Sequence, residues 1–198
     1  MTKNEIHEKR MKEYFIQATK ELLKGEGLKV VSVRNVAEQA GYSYATMYNY
    51  FKDIKELVFI CVKDFMEECR QIVETECAEV PSGKEKIRAV FKSYIKYFIQ
   101  YPGIFELFFL ENMYDLGAKQ PTSKMIFSFP DELCEKEWDY CISQNIYTKE
   151  ETEQLKQDLK FAVTGMLLFY LNRRIPEDYN SFTKMVDGKL KQALNTND

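Results

Sequence analysis

Apolar side chains recur at steps of three and four along almost this whole sequence, and breakers interrupt them rarely. Met11, Phe15, Ala18 and Leu22 share one helical face, as do Val58, Val62, Phe65, Cys69 and Ile72. The pattern returns in Ile87, Phe91, Tyr94 and Phe98, and again in Phe182, Val186, Leu190 and Leu194. No segment shows the period-two alternation of a half-buried strand. With 8 Gly and 5 Pro in 198 residues, structure is punctuated seldom, so the expected fold is all-α, with about nine helices.

The punctuation that exists sets the boundaries. A first helix is predicted over about Lys3–Lys24, closed by Gly25 and Gly27. Ser32 caps a short second helix that Gly41 stops, and Ser43 caps a third over Tyr44–Tyr50. Asp53 opens a fourth helix to about Glu79, broken by Pro81. Ser82 with Glu85 opens a helix to about Tyr101, and Pro102-Gly103 separates it from a short apolar helix over Ile104–Tyr114. Residues Asp115–Phe129 read as a loop holding at most one turn of helix, with Pro130 starting a helix to about Gln144. Thr148 with Glu151 opens a long helix to about Arg174, and the last spans about Tyr179–Leu194. The division expected is a three-helix N-terminal domain, residues 1–52, and a larger helical domain, residues 53–198.

Several function classes fall away. The longest uncharged apolar run, Phe161–Leu171, is far short of the roughly 18–20 residues that span a bilayer. The charged N-terminus lacks a signal-peptide core, so a cytoplasmic chain with no membrane partner is expected. Five cysteines without a C-x-x-C pair, and the single His7, give no metal set and no disulfide framework. A redox role for Cys134 and Cys141, seven apart on one helical face, is the minor alternative to structural thiols. Neither a Ser/His/Asp nor a Cys/His set can be assembled and no phosphate-cradling glycine loop exists, so neither enzyme nor cofactor is implied. Residues 1–60 carry ten basic and eight acidic side chains, while the rest is net acidic. That suits a small basic reading head on an acidic body.

Helix, glycine turn and helix within Ser32–Phe51 have the layout of a helix-turn-helix. A short helix must stand clear of the body to enter a major groove about 12 Å wide, braced by the helix before it. Ala37 and Ala40 permit close packing, Met47 and Phe51 point inward, and Tyr44, Ala45, Tyr48 and Asn49 point out. No acidic residue occurs from Ala40 to Lys52 to repel phosphate.

The stretch Gly27–Phe51 (GLKVVSVRNVAEQAGYSYATMYNYF) resembles the DNA-binding segment of the tetracycline-repressor (TetR) family, through Ser32, Val36-Ala37, Ala40-Gly41, Ser43, Thr46, Tyr48, Tyr50-Phe51 and Leu57. The resemblance implies that Arg34 contacts bases or phosphate, that Tyr44 and Ala45 reach base edges, and that Thr46, Tyr48 and Tyr50 offer hydroxyls to phosphate. With Ser43, Asn49, Lys52 and Lys55 these form the candidate DNA-facing set. Two positions depart from the family pattern: Asn35 stands where an acid is usual, and Ile54 where a Lys is usual, flanked by Lys52 and Lys55.

The long helix carries Leu155, Leu159, Val163, Met166 and Tyr170 on one face and Phe161, Gly165, Leu168 and Asn172 on another. A helix apolar on two faces buries both. One is expected against its own chain and the other against a second copy; the alternative is a central helix in a monomer. The resemblance implies a homodimer built from the last two helices, so Phe161, Gly165, Leu168, Asn172, Phe182, Val186 and Leu190 are the candidate seam. Twofold-related heads would read a near-palindromic double-stranded operator. The aromatic middle region supplies a candidate pocket for an unidentified small-molecule effector, Phe98, Phe105, Phe109, Trp138, Met166 and Tyr170, with Glu106, Glu111 or Asp115 as candidate counter-charges. A ligand-released repressor is the expected function; the alternative is a helical small-molecule- or protein-binding dimer that has lost specific DNA readout.

Overall fold

In a computed structural model, residues 2–111 and 122–196 are described. They form ten α-helices and one 3-10 turn, with no strand among the described residues. The helices are α1 Lys3–Glu26, α2 Val33–Ala40, α3 Tyr44–Met47, α4 Ile54–Glu76, α5 Lys84–Gln100, α6 Pro102–Phe109, α7 Thr122–Leu133, α8 Glu135–Ser143, α9 Lys149–Arg173 and α10 Tyr179–Leu194. By its contacts the chain divides into two units, Met1–Glu67 with Tyr101–Ile126, and Glu68–Gln100 with Phe127–Asp198. The division falls inside α4 and assigns α6 to the first unit, whereas the break expected from sequence lay at 52/53, where the short helices end.

The first unit is organised around α1. Met11 and Phe15 pack with Val36, Ala37, Met47, Phe51 and Leu57 in one cluster. The Phe15 ring meets the edge of Phe51 at 6.2 Å, a geometry that aligns the ring quadrupoles. At the other end of α1, α6 approaches so closely that a Cβ on Gly103 would stand 2.4 Å from the Leu23 carbonyl oxygen. Only glycine allows that backbone contact.

In the second unit α5 is the centre. Ile87, Phe91, Tyr94 and Phe98, the face read from sequence, are all buried. Helices α8, α9 and α10 pack against it. Tyr170 of α9 stacks on Phe182 of α10 at 4.1 Å, and the Tyr147 hydroxyl donates to the Leu194 carbonyl at 2.6 Å. Arg88 donates twice to Asp187, at 3.1 and 2.7 Å, and Lys92 donates to the same oxygen, tying α5 to α10.

Four expected boundaries change. The third helix ends at Met47 rather than Tyr50, because the amides of Asn49 and Tyr50 turn back to the carbonyls of Thr46 and Met47, three residues earlier. Pro130 does not start a helix; it lies inside α7, which occupies part of the predicted loop. The periodic burial of Thr122, Ile126 and Phe129 holds that segment helical in spite of the proline. The expected helix to Gln144 is two, α7 and α8, with Cys134 between them. The sixth helix ends at Phe109, and the predicted Tyr114 terminus and Asp115 lie outside the described residues.

Candidate nucleic-acid interface

The reading segment is held by caps at each joint. The Ser32 hydroxyl accepts from the Asn35 amide at 3.2 Å, starting α2. The Asn35 side-chain amide donates to the Val30 carbonyl at 2.7 Å, a bond an acid could not make, which accounts locally for asparagine here. Gly41 adopts φ +77°, and the Tyr42 amide returns to the Ala37 carbonyl at 2.9 Å. That left-handed residue turns the chain sharply toward α3. The Ser43 hydroxyl then accepts from the Thr46 amide at 3.2 Å.

One side chain of α3, Met47, is buried in the cluster and fixes the helix against the unit. The opposite side is open. Tyr44 is 64% and Tyr48 53% exposed, and Ala45 and Asn49 are exposed beside them. Arg34 is exposed near the start of α2. Lys52 and Lys55 are exposed before and within the first turn of α4, where Glu56 accepts the Lys52 amide and Asp53 accepts the Glu56 amide. Ile54 packs at the edge of the cluster, so at that position the chain has exchanged a surface cation for core area.

Two candidate phosphate hydroxyls are differently placed. Thr46 is half-buried, with its oxygen 2.9 Å from the Ser43 hydroxyl. Tyr50 is half-buried with its ring 6.4 Å from Phe15, so it braces the turn. Sequence reasoning missed Tyr42, which lies immediately before the Ser43 cap, 39% exposed and stacked on Tyr14 of α1 at 6.0 Å. The signal was an aromatic at Tyr14, off the apolar face of α1.

Residues 15–59 match the sequence model of bacterial regulatory proteins, tetR family. Within those residues the chain carries a TetR-type DNA-binding segment. Solved structures share its fold over nearly the whole length. A fatty acid degradation regulator, FadR, from Bacillus halodurans is 15% identical, with TM-score 0.72, over 90% of this chain and 93% of that one. FadR from Bacillus subtilis, in complex with stearoyl-CoA, is 16% identical with TM-score 0.69, over 90% and 96%. A TetR family transcription regulator from Marinobacter aquaeolei VT8 is 14% identical with TM-score 0.65, over 96% and 97%. No curated protein matches the sequence.

In the second unit the two faces of α9 differ. Leu159, Val163 and Tyr170 are buried, while Phe161 is 67% and Phe169 54% exposed. Gly165 and Leu168 are half-buried and Asn172 is exposed on that outer side. Of the candidate seam residues, Phe182, Val186 and Leu190 are buried within the unit's own core. Their spacing marks a buried face, and that face is covered by the chain itself, as the Tyr170–Phe182 stack shows. The outward side of α10 instead carries Met185, Gly188 and Lys189.

The six candidate pocket residues are divided between the two units. Phe105 and Phe109 pair at 5.0 Å in the first unit; Phe98, Trp138, Met166 and Tyr170 belong to the second. Phe98 and Trp138 are closed core, and a cavity of about 330 Å³ in the second unit is lined by other residues, among them Ile95, Ile99, Lys92, Lys96 and Tyr179. Of the candidate counter-charges, Glu106 and Glu111 are half-buried in the first unit and Asp115 lies outside the described residues. All five cysteines are buried and free. Burial pushes the thiols of Cys61 and Cys69 up to about 12 and that of Cys134 well above its usual range, and raises Cys141. Each therefore stays protonated at neutral pH, which disfavours thiolate chemistry. Among the described residues no cluster is placed to hold a metal, and no described helix is long and apolar enough to cross a membrane.

Proposed function

We propose that this chain is a homodimeric repressor, acting in the cytoplasm, that reads a near-palindromic double-stranded operator and is released by a small-molecule effector. In this reading residues 1–52 are the reading head, and the remainder binds effector and partner. The observation that carries it is the outward face of α3, where Tyr44, Ala45, Tyr48 and Asn49 stand exposed around a buried Met47 anchor with no acid between Ala40 and Lys52. Arg34, Lys52 and Lys55 are exposed before and after that helix in the chain and supply the positive charge that phosphate contact requires. The exposed Phe161 and Phe169 rings on α9 support a second copy as partner.

An effector releases DNA by favouring a dimer whose heads are wrongly spaced, with a coupling of about 1–3 kcal/mol. Because the Bacillus subtilis neighbour holds stearoyl-CoA, long acyl chains are the first effectors to test. Selection of bound sequences from random DNA tests the core of the reading. Enrichment of a palindrome with half-site centres about 34–36 Å apart is expected. Absence of any enriched sequence would favour a helical binding dimer without DNA readout, to which the packed Ile54 points.

A further inference from the structure

The first two turns of α1 are built yet bury nothing. Every residue from Thr2 to Arg10 is exposed, and Met11 is the first to enter the core. The segment is nonetheless closed by a reciprocal cap: the Thr2 amide donates to Glu5 at 2.8 Å, and the Glu5 amide to the Thr2 hydroxyl at 3.3 Å. Isolated helices this short are marginal in water, so a capped arm without core contacts is poised to meet something outside its own unit.

Its side chains are sorted. Lys3, His7, Arg10, Tyr14 and Gln17 recur at steps of four, three, four and three, on one face. The acids of the arm lie elsewhere: Glu5, Glu8 and Glu13 line a groove with Lys9, Lys12 and Asp64, and Glu8 pairs with Lys12 at 2.7 Å. Lys3, His7 and Arg10 form no ion pair among the described residues. The stripe is also continuous with the reading face. Tyr14, 52% exposed, stacks on Tyr42, and Tyr42 directly precedes the Ser43 cap of α3. The other end of α1 is fixed against α6 at Gly103, so the arm projects from the end that carries α3.

We propose that this arm is a second DNA-contacting element, in which Lys3, Arg10 and the Tyr14–Tyr42 pair engage the phosphate backbone flanking the half-site. The proposal rests on the DNA-reading function above and extends its footprint. A duplex is the occupant because the stripe from Lys3 to Arg10 is cationic and is joined through Tyr14 and Tyr42 to the recognition helix. Eight helical residues reach about 12 Å, the rise of three to four base pairs.

The test uses the full chain and the operator recovered by selection, presented in duplexes with flanks of about two or about eight base pairs beyond each half-site. Wild type should bind the long-flank duplex about tenfold more tightly, and the K3A/R10A variant should lose that advantage while matching wild type on short flanks. Its salt dependence on long flanks should fall by about 2 log units per log salt for each subunit. The K12A variant, on the other face, should keep the advantage. Indifference of wild type to flank length, a K3A/R10A variant that keeps the advantage, or one that weakens equally on both duplexes would each overturn the proposal. If wild type binds the short-flank duplex, the reading function stands whichever way the arm falls; if it binds neither, both fail.

Discussion

Replacing Phe161 and Phe169 together by Ser should dissociate the proposed dimer without unfolding the chain. Both rings are largely exposed in the single chain, at 67% and 54%, so the subunit's own core loses little. Burying a Phe side chain completely is worth about 1.5–3 kcal/mol. Scaled by those exposures, the two rings contribute about 2–4 kcal/mol per protomer, and twofold symmetry doubles this to about 4–7 kcal/mol per dimer. Even the lower figure corresponds to a dimer dissociation constant raised about a thousandfold. Sedimentation velocity over a concentration series should show wild type as a dimer at micromolar strength and the variant as a folded monomer, with unchanged far-UV circular dichroism. Operator binding should then depend on the square of variant concentration, because two half-sites must be filled independently. A variant whose dimer constant moves less than threefold would refute the seam and, with it, the palindromic operator.

Tyr44→Ala should change which sequences are enriched in DNA selection, whereas Lys52→Ala should weaken all sequences alike and lower the salt slope by about 1. Met47→Ala removes the fully buried anchor of α3 and should cost about 2–5 kcal/mol in urea unfolding, with loss of DNA binding. Burial pushes the Asp187 carboxyl up, but hydrogen bonds from Arg88 and Lys92 outweigh it and hold the group at about 2, below its usual 3.8. A lowered carboxyl adds stability that is complete above the unfolded value and disappears as pH falls toward the folded one. Wild type should therefore exceed Asp187→Asn in stability above about pH 4 and converge on it near pH 2, as followed by thermal unfolding.

The helices were legible where periodicity and caps agreed. Ser32, Gly41 and Ser43 act as read, and Ile87, Phe91, Tyr94 and Phe98 face inward as spaced. Helix α7 was not legible, because Pro121 and Pro130 outweighed the spacing of Ile126 and Phe129, which tertiary burial makes decisive. Spacing also cannot say whose atoms cover a face: Phe161 and Phe182 carry the same signal, yet one ring is exposed and the other lies under Tyr170. Within the reading site, the exposed Tyr44 and Tyr48 follow from the buried Met47, whereas the Thr46 hydroxyl turns to a partner one helical turn away that only coordinates reveal. The aromatic residues taken as a pocket illustrate the same limit, since a pocket lining and a filled core have one composition.

The contact at Gly103 bears on how motion is passed within the first unit. Two backbones touching without an intervening side chain leave no rotamer to absorb a shift and no layer to slide on. A displacement of α6 must therefore be handed to α1 undiminished, as through a rigid coupling, and α1 carries the reading helices along its far half.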